Sequence, residues 1–197
     1  KNPVNNVAHY QTMLISHKYK LIFIENPKAC SRTVLKLLKS IDEHIIHYIE
    51  PGVRCRMMGH TTLLGSGITK EPFFSEYTCF VVLRNPADRI ISSINMHLRN
   101  VSNIIEHYDK CKEENEKCAW CQPQMDYVSE GVKVLRAEHL ERDLRALFCD
   151  LDIPITEVLH ENKAKVSART WASLPPDTRR FLRQFYIRDF QGIPHID

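Results

Sequence analysis

The chain has 197 residues, of which 43% are apolar and 26% charged. That is enough for one domain with a sizeable core, and ordinary for a soluble globular protein. Its 27 basic and 24 acidic residues leave a net charge of +3, which makes no case for a nucleic-acid partner, although local basic patches remain open. No stretch approaches the roughly 20 apolar residues of a membrane span, and no secretory leader is visible.

Residues 1–17 are polar and mixed, and read as an arm. Leu21 to Ile24 is an apolar, β-favouring run, the mark of a buried strand. Asn26-Pro27 breaks it. From Thr33, apolar residues recur at Val34, Leu35, Leu37, Leu38 and Ile41, the spacing of a helix. Ile45 to Ile49 is a short strand candidate. Pro51 to Ser75 is irregular and glycine-bearing, a long loop for a compact domain, and such loops are functional or mobile. Thr78 to Leu83 is a second buried strand. Pro86 suits the first turn of the helix that Ile90, Ile91, Ile94 and Leu98 continue. The cysteine-bearing segment that follows reads as an exposed loop. Pro123 to Ser129 opens a short helix. Val132 to Arg136 is a third strand, Glu138 to Cys149 a helix, Asp152 to Glu161 another, and Pro175 to Phe190 a last one. Apolar strands alternating with amphipathic helices predict an α/β domain spanning 1–197, with a central parallel sheet between two helical layers.

Seven cysteines are present. Cys30, Cys55, Cys79 and Cys149 sit at apolar or mixed positions, as small buried thiols do. Cys111, Cys118 and Cys121 cluster in a polar stretch. A disulfide between two of them, implying an oxidising compartment, is favoured over zinc, for which the C-x6-C-x2-C spacing is not standard. Three free thiols rank close behind the disulfide.

Chemistry concentrates where two strands end. After Ile24 the sequence NPKACSRT places Lys28, Ser31, Arg32 and Thr33 at the start of a helix. Unpaired N–H groups and the positive helix end there favour phosphate or sulfate. The loop lacks the glycines of a nucleotide-triphosphate P-loop. After Leu83, Arg84 leaves the second strand and Ser92 lies on the next helix. Arginine presents a planar fork to phosphate oxygens and serine a hydroxyl donor. Arg89 either joins them or lies on the surface. In parallel sheets ligands sit beyond the carboxyl ends of the strands, so one ligand with two separated anionic groups would fit both tips.

PKACSRTVLKLL resembles the 5′-phosphosulfate loop of sulfotransferases, and VVLRNPADRIISS resembles their 3′-phosphate motif. PQMDYVS, VLRAEHLERDLRALFCDLDIP and LPPDTRRFLRQFYIRDF resemble successive segments of the Golgi carbohydrate group, of uronosyl 2-O and chondroitin type. The resemblance implies a P-loop-like α/β fold, the donor 3′-phosphoadenosine 5′-phosphosulfate (PAPS), a hydroxyl acceptor such as a glycan, and a Golgi setting. It implies that Lys28 contacts the phosphosulfate and stabilises the leaving phosphate. Ser31, Arg32 and Thr33 would line the same loop, and Arg84 and Ser92 would hold the 3′-phosphate. Lys163, Lys165 and Arg169, in a late basic segment, would close over the nucleotide. The chain departs from the pattern at Ala29 and Cys30, where many relatives carry a glycine.

The acceptor hydroxyl needs a base, and histidine suits that task near neutral pH. Among ten histidines, His60 in MGHTTL is the choice, because a Gly-His stands in a comparable place in some uronosyl 2-O-sulfotransferases. His44, His47 and His97 read as structural or exposed. Glu25 is the second base candidate; its plainer role is to pair with Lys28 or Arg84, and Glu138 has a similar plain role. Trp120, Trp171 and Tyr127 are either core residues or stacking partners for a ring. The competing functions are transfer to a small-molecule alcohol and binding of a nucleotide or anionic polymer without chemistry. A nucleotide kinase is disfavoured by the absence of a glycine-rich signature and of an evident carboxylate partner for magnesium.

Overall fold

The computed structural model describes residues 13–48, 62, 64–98, 103–113, 121–155 and 169–193. Strands β1 (Met13–Ser16), β2 (Leu21–Ile24), β3 (Ile46–Tyr48), β4 (Thr78–Leu83) and β5 (Lys133–Arg136) form one sheet in the order β3-β1-β2-β4-β5. β2, β4 and β5 run parallel, while β1 pairs antiparallel with both β2 and β3. The sheet is therefore mixed around a parallel core, and helices flank it. The antiparallel edge arises because only a four-residue turn, His17–Lys20, joins β1 to β2; a parallel pair needs a crossover of a dozen residues or more. Residues 13–16, read as part of an arm, are instead a fully buried strand.

Side chains alternate between the two faces, as the pleat requires. Leu21 and Phe23 of β2 join Phe80 and Val82 of β4 on one face. There they meet Val34, Leu37 and Leu38 of α1 (Ser31–Ile41), and Leu140, Leu144 and Leu147 of α4 (Leu140–Asp150). Ile22, Ile24, Val81 and Leu83 take the other face, with Ile68, Tyr127 and Ile193. Single-turn 3-10 helices at Leu64–Ser66, Ile68–Lys70 and Phe74–Glu76 lie within the stretch read as irregular.

A third cluster lies among helices. Ile90, Ile91 and Ile94 of α2 (Pro86–His97) pack with Ile104 and Tyr108 of α3 (Ile104–Glu113) and with Leu182 and Tyr186. The predicted last helix is two: α5 (Pro176–Phe185) and α6 (Ile187–Gly192), divided at the buried Tyr186. The segment read as a cysteine loop begins as helix α3. Its Tyr108, one turn beyond Ile104, is fully buried against the rings of Phe185 and Tyr186. The 123–129 segment contributes one 3-10 turn, Gln124–Tyr127. Residues 152–155 are not helical, and the rest of the helix predicted there lies outside the described residues. No described helix is long and apolar enough to cross a membrane.

No disulfide is present among the described residues. The staple expected among Cys111, Cys118 and Cys121 does not include Cys121, which is buried in the helical cluster without a disulfide; Cys118 and the Cys111 side chain lie outside the described residues. Burial among apolar helices satisfies a thiol as a small hydrophobe without a cross-link. No metal-ligand cluster occurs among the described residues either.

Candidate active site

β2 and β4 pair with Ile24 opposite Val81, and β4 and β5 with Leu83 opposite Arg136. The carboxyl ends of all three strands therefore sit side by side. From the first, residues 25–30 turn sharply into α1. Lys28 and Cys30 both take the left-handed conformation, with φ of 67° and 62°. A residue bearing a Cβ pays roughly 1–2 kcal/mol for this, so the turn expected of a glycine is held here by strained residues. Such strain gathers where structure over-determines a functional loop. Cys30 ends at the helix start with no side-chain cap, leaving the first N–H groups of α1 directed at the loop.

Cations converge at this end. Arg84 leaves β4 and its Nη1 donates to the Lys28 carbonyl at 3.4 Å. The Lys28 amine is held below the ordinary lysine range, first by burial and then by the charges of Arg84, Arg32 and Arg89. Among the described residues no carboxylate forms an ion pair with Lys28, Arg32 or Arg84. Like charges held together without counter-ions are the electrostatic form of an anion site.

The other expected residues fall at different depths. Ser31 donates to the Asn26 carbonyl at 3.0 Å. Arg32 is exposed, Thr33 is buried within α1, and Ser92 is half-buried about two turns into α2. His60, Lys163, Lys165 and Trp120 lie outside the described residues. Arg169 donates from Nη1 to the Leu98 carbonyl at 3.1 Å and exchanges two hydrogen bonds with Asn95. It therefore caps the end of α2. Trp171 packs against Phe190 under Arg183, and Tyr127 is buried with its hydroxyl on Gln122. Glu138 pairs with Arg136 and accepts the Asn85 N–H.

Glu25 directly follows β2 and opens the turn toward α1. It is only 6% exposed, and burial pushes its carboxyl up to about 7 against the opposing hydrogen bond with Ser31. A carboxyl titrating near neutrality beside a cationic loop has the proton affinity of an acid–base group.

Four further residues reach the site, of which the sequence offered only Arg89 as one alternative. Arg89, on α2, is fully buried, and its Nε donates to the Pro27 carbonyl at 3.1 Å. Its Nη atoms make no hydrogen bond with any described residue. The end of the same helix returns to the loop: Met96 Sδ lies 2.9 Å from Lys28 Nζ. His97 is held below the usual imidazole range by burial and then by the Lys28 charge. The fourth is Gln124, fully buried between the two strand tips. Met96, His97 and Gln124 gave no signal of a part in the site, because each reaches the loop from a position remote in sequence.

No curated protein and no solved structure matches the chain. The sequence model described as the sulfotransferase family matches residues 11–146, a span that contains β1 to β5, the strained loop and both strand tips. The chain belongs to the sulfotransferase family.

Proposed function

We propose that the protein transfers a sulfuryl group from PAPS to a hydroxyl acceptor, with a carbohydrate the acceptor class the sequence favours, in the manner of the Golgi carbohydrate group. The observation that carries this reading is the convergence of Lys28, Arg32 and Arg84 at adjacent parallel strand ends, close enough for the arginine charges to depress the Lys28 amine. The family supplies the chemistry and the cation cluster supplies a fit for an anionic donor. In the transfer, a bond forms between the acceptor oxygen and sulfur, and the bond from sulfur to the 5′-phosphate oxygen breaks. The hydroxyl proton passes to a base. Lys28 and the start of α1, with Ser31, Arg32 and Thr33, neutralise the leaving phosphate. That demands in-line placement and fixed positive charge but no metal. Arg84 and Ser92 hold the 3′-phosphate, and Lys165 closes over the nucleotide. His60, placed in sequence between the two tips, is the base.

The test is a donor-dependent screen of glycan and small alcohol acceptors, read by mass shift and by transfer of radiolabelled sulfate. Lys28→Ala should lower transfer on the order of 10²–10³-fold with an unchanged melting temperature. His60→Ala should lower it by ~10²–10⁴-fold. Near-normal turnover by Lys28→Ala sinks the loop assignment; near-normal turnover by His60→Ala moves the base elsewhere.

A further inference from the structure

The side chain of Gln124 holds the two anion-binding strand tips at a fixed separation, and we infer that it is a positioning residue for a ligand that engages both. Gln124 is fully buried, and its amide is spent on the two tips. Its Oε1 accepts from the Arg84 backbone N–H at 3.0 Å, and its Nε2 donates to the Arg84 carbonyl at 2.8 Å. Arg84 has left β4, so both its main-chain groups lack a strand neighbour. The glutamine amide replaces that neighbour with one donor and one acceptor. The same Oε1 also accepts from Asn26 Nδ2 at 3.0 Å, at the tip of β2. Asn26, itself fully buried, uses its other amide hydrogen on the Val82 carbonyl at 2.8 Å. One oxygen thus ties the residue that opens the Lys28 loop to the residue that carries the second cradle.

The clamp is itself anchored. Asp189 of α6, buried to 1%, accepts the Gln124 N–H at 2.8 Å and the Met125 N–H at 2.9 Å. Gln124 touches neither the Lys28 amine nor the Arg84 guanidinium in any of these bonds. Its effect on a ligand must therefore act through the spacing of the tips. A ligand with one anionic group needs only one tip and is indifferent to that spacing. A ligand with two is bound by the sum of both cradles only while they stay in register.

This inference rests on the donor reading above, and the experiment separates the two. Calorimetric titrations use three probes: adenosine 3′,5′-bisphosphate, adenosine 5′-monophosphate and adenosine 3′-monophosphate. The wild-type protein should bind the bisphosphate most tightly. Equal affinity for all three, seen before any substitution, overturns the donor reading and the clamp with it. Gln124→Met keeps the volume and deletes the amide. It should weaken the bisphosphate roughly tenfold to a hundredfold, while each monophosphate changes by less than about threefold. Equal losses across the three probes, or none, overturn the clamp and leave the donor reading standing. Should Gln124→Met fail to fold, Asn26→Ala removes the Gln124 bond to the β2 tip, together with the Asn26 bond to the Val82 carbonyl, and leaves both Gln124 bonds to Arg84 in place. A loss confined to the bisphosphate supports the clamp, and an even loss refutes it.

Discussion

Lys28 sits where three separate costs are accepted together: a left-handed backbone, a partly buried amine and three neighbouring cations. Glu25, three residues earlier, carries a fourth in its buried carboxyl, and here the cost can be measured. Its pKa rises from 4.5 to about 7, so the folded protein holds a proton that the unfolded chain releases. Stability is then undiminished below about pH 4.5 and falls as the pH rises through the window up to about 7, by on the order of 3 kcal/mol in all. Glu25→Gln should remove that slope. Urea unfolding at pH 5 and pH 8 should show a smaller difference in the variant than in the wild type. Equal slopes would mean that Glu25 is ionised in the folded state.

At the scale of elements, α2 does more than cover the core. Its start lies two residues after Arg84, its first turn supplies the Arg89 brace to the loop, and its last turn brings Met96 to Lys28. Its placement depends on its ends. At the first, Asn85 Oδ1 accepts from the N–H groups of Ala87 and Asp88 at 3.0 and 3.3 Å, and Pro86 occupies the first turn, where its missing N–H costs nothing. At the other, Arg169 donates to the Leu98 carbonyl. Asn85→Ala should cost about 1 kcal/mol of stability, read from the urea midpoint. Because the same residue adjoins Arg84, donor affinity should fall with it. A variant as stable as wild type would show that packing alone fixes the helix start.

For the molecule as a whole, a net charge of +3 is small, so the attraction for an anion comes from how charge is distributed. Carboxylates pair with cations elsewhere, as in Lys20–Glu76, Arg145–Glu141 and Arg188–Asp126, while none of the ion pairs among the described residues involves Lys28, Arg32 or Arg84. Binding of adenosine 3′,5′-bisphosphate should therefore weaken with salt. Between about 0.1 M and about 1 M the screening length contracts from about 10 Å to about 3 Å, and affinity should drop roughly tenfold. Salt-independent binding would point to apolar or stacking contacts in place of the cation cluster.

Much of this was readable in the chain. Continuous apolar runs marked β2 and β4, helical spacing marked α1 and α2, and basic and hydroxyl residues marked both strand tips, because each is a local pattern of fewer than a dozen residues. β1 was missed because MLIS is short and its pairing with β2 and β3 supplies the order that its own pattern does not. Helix α3 was missed because polar residues fill all but the face that Ile104 and Tyr108 turn to the core. What brings Arg89, Gln124, Met96 and His97 to one loop is the adjacency of β2 and β4, residues far apart along the chain. Local sequence marked which residues are the candidates for binding an anion. The tertiary fold alone decided that their positive charges would face one another, since only burial in a shared sheet end could hold them together against their repulsion.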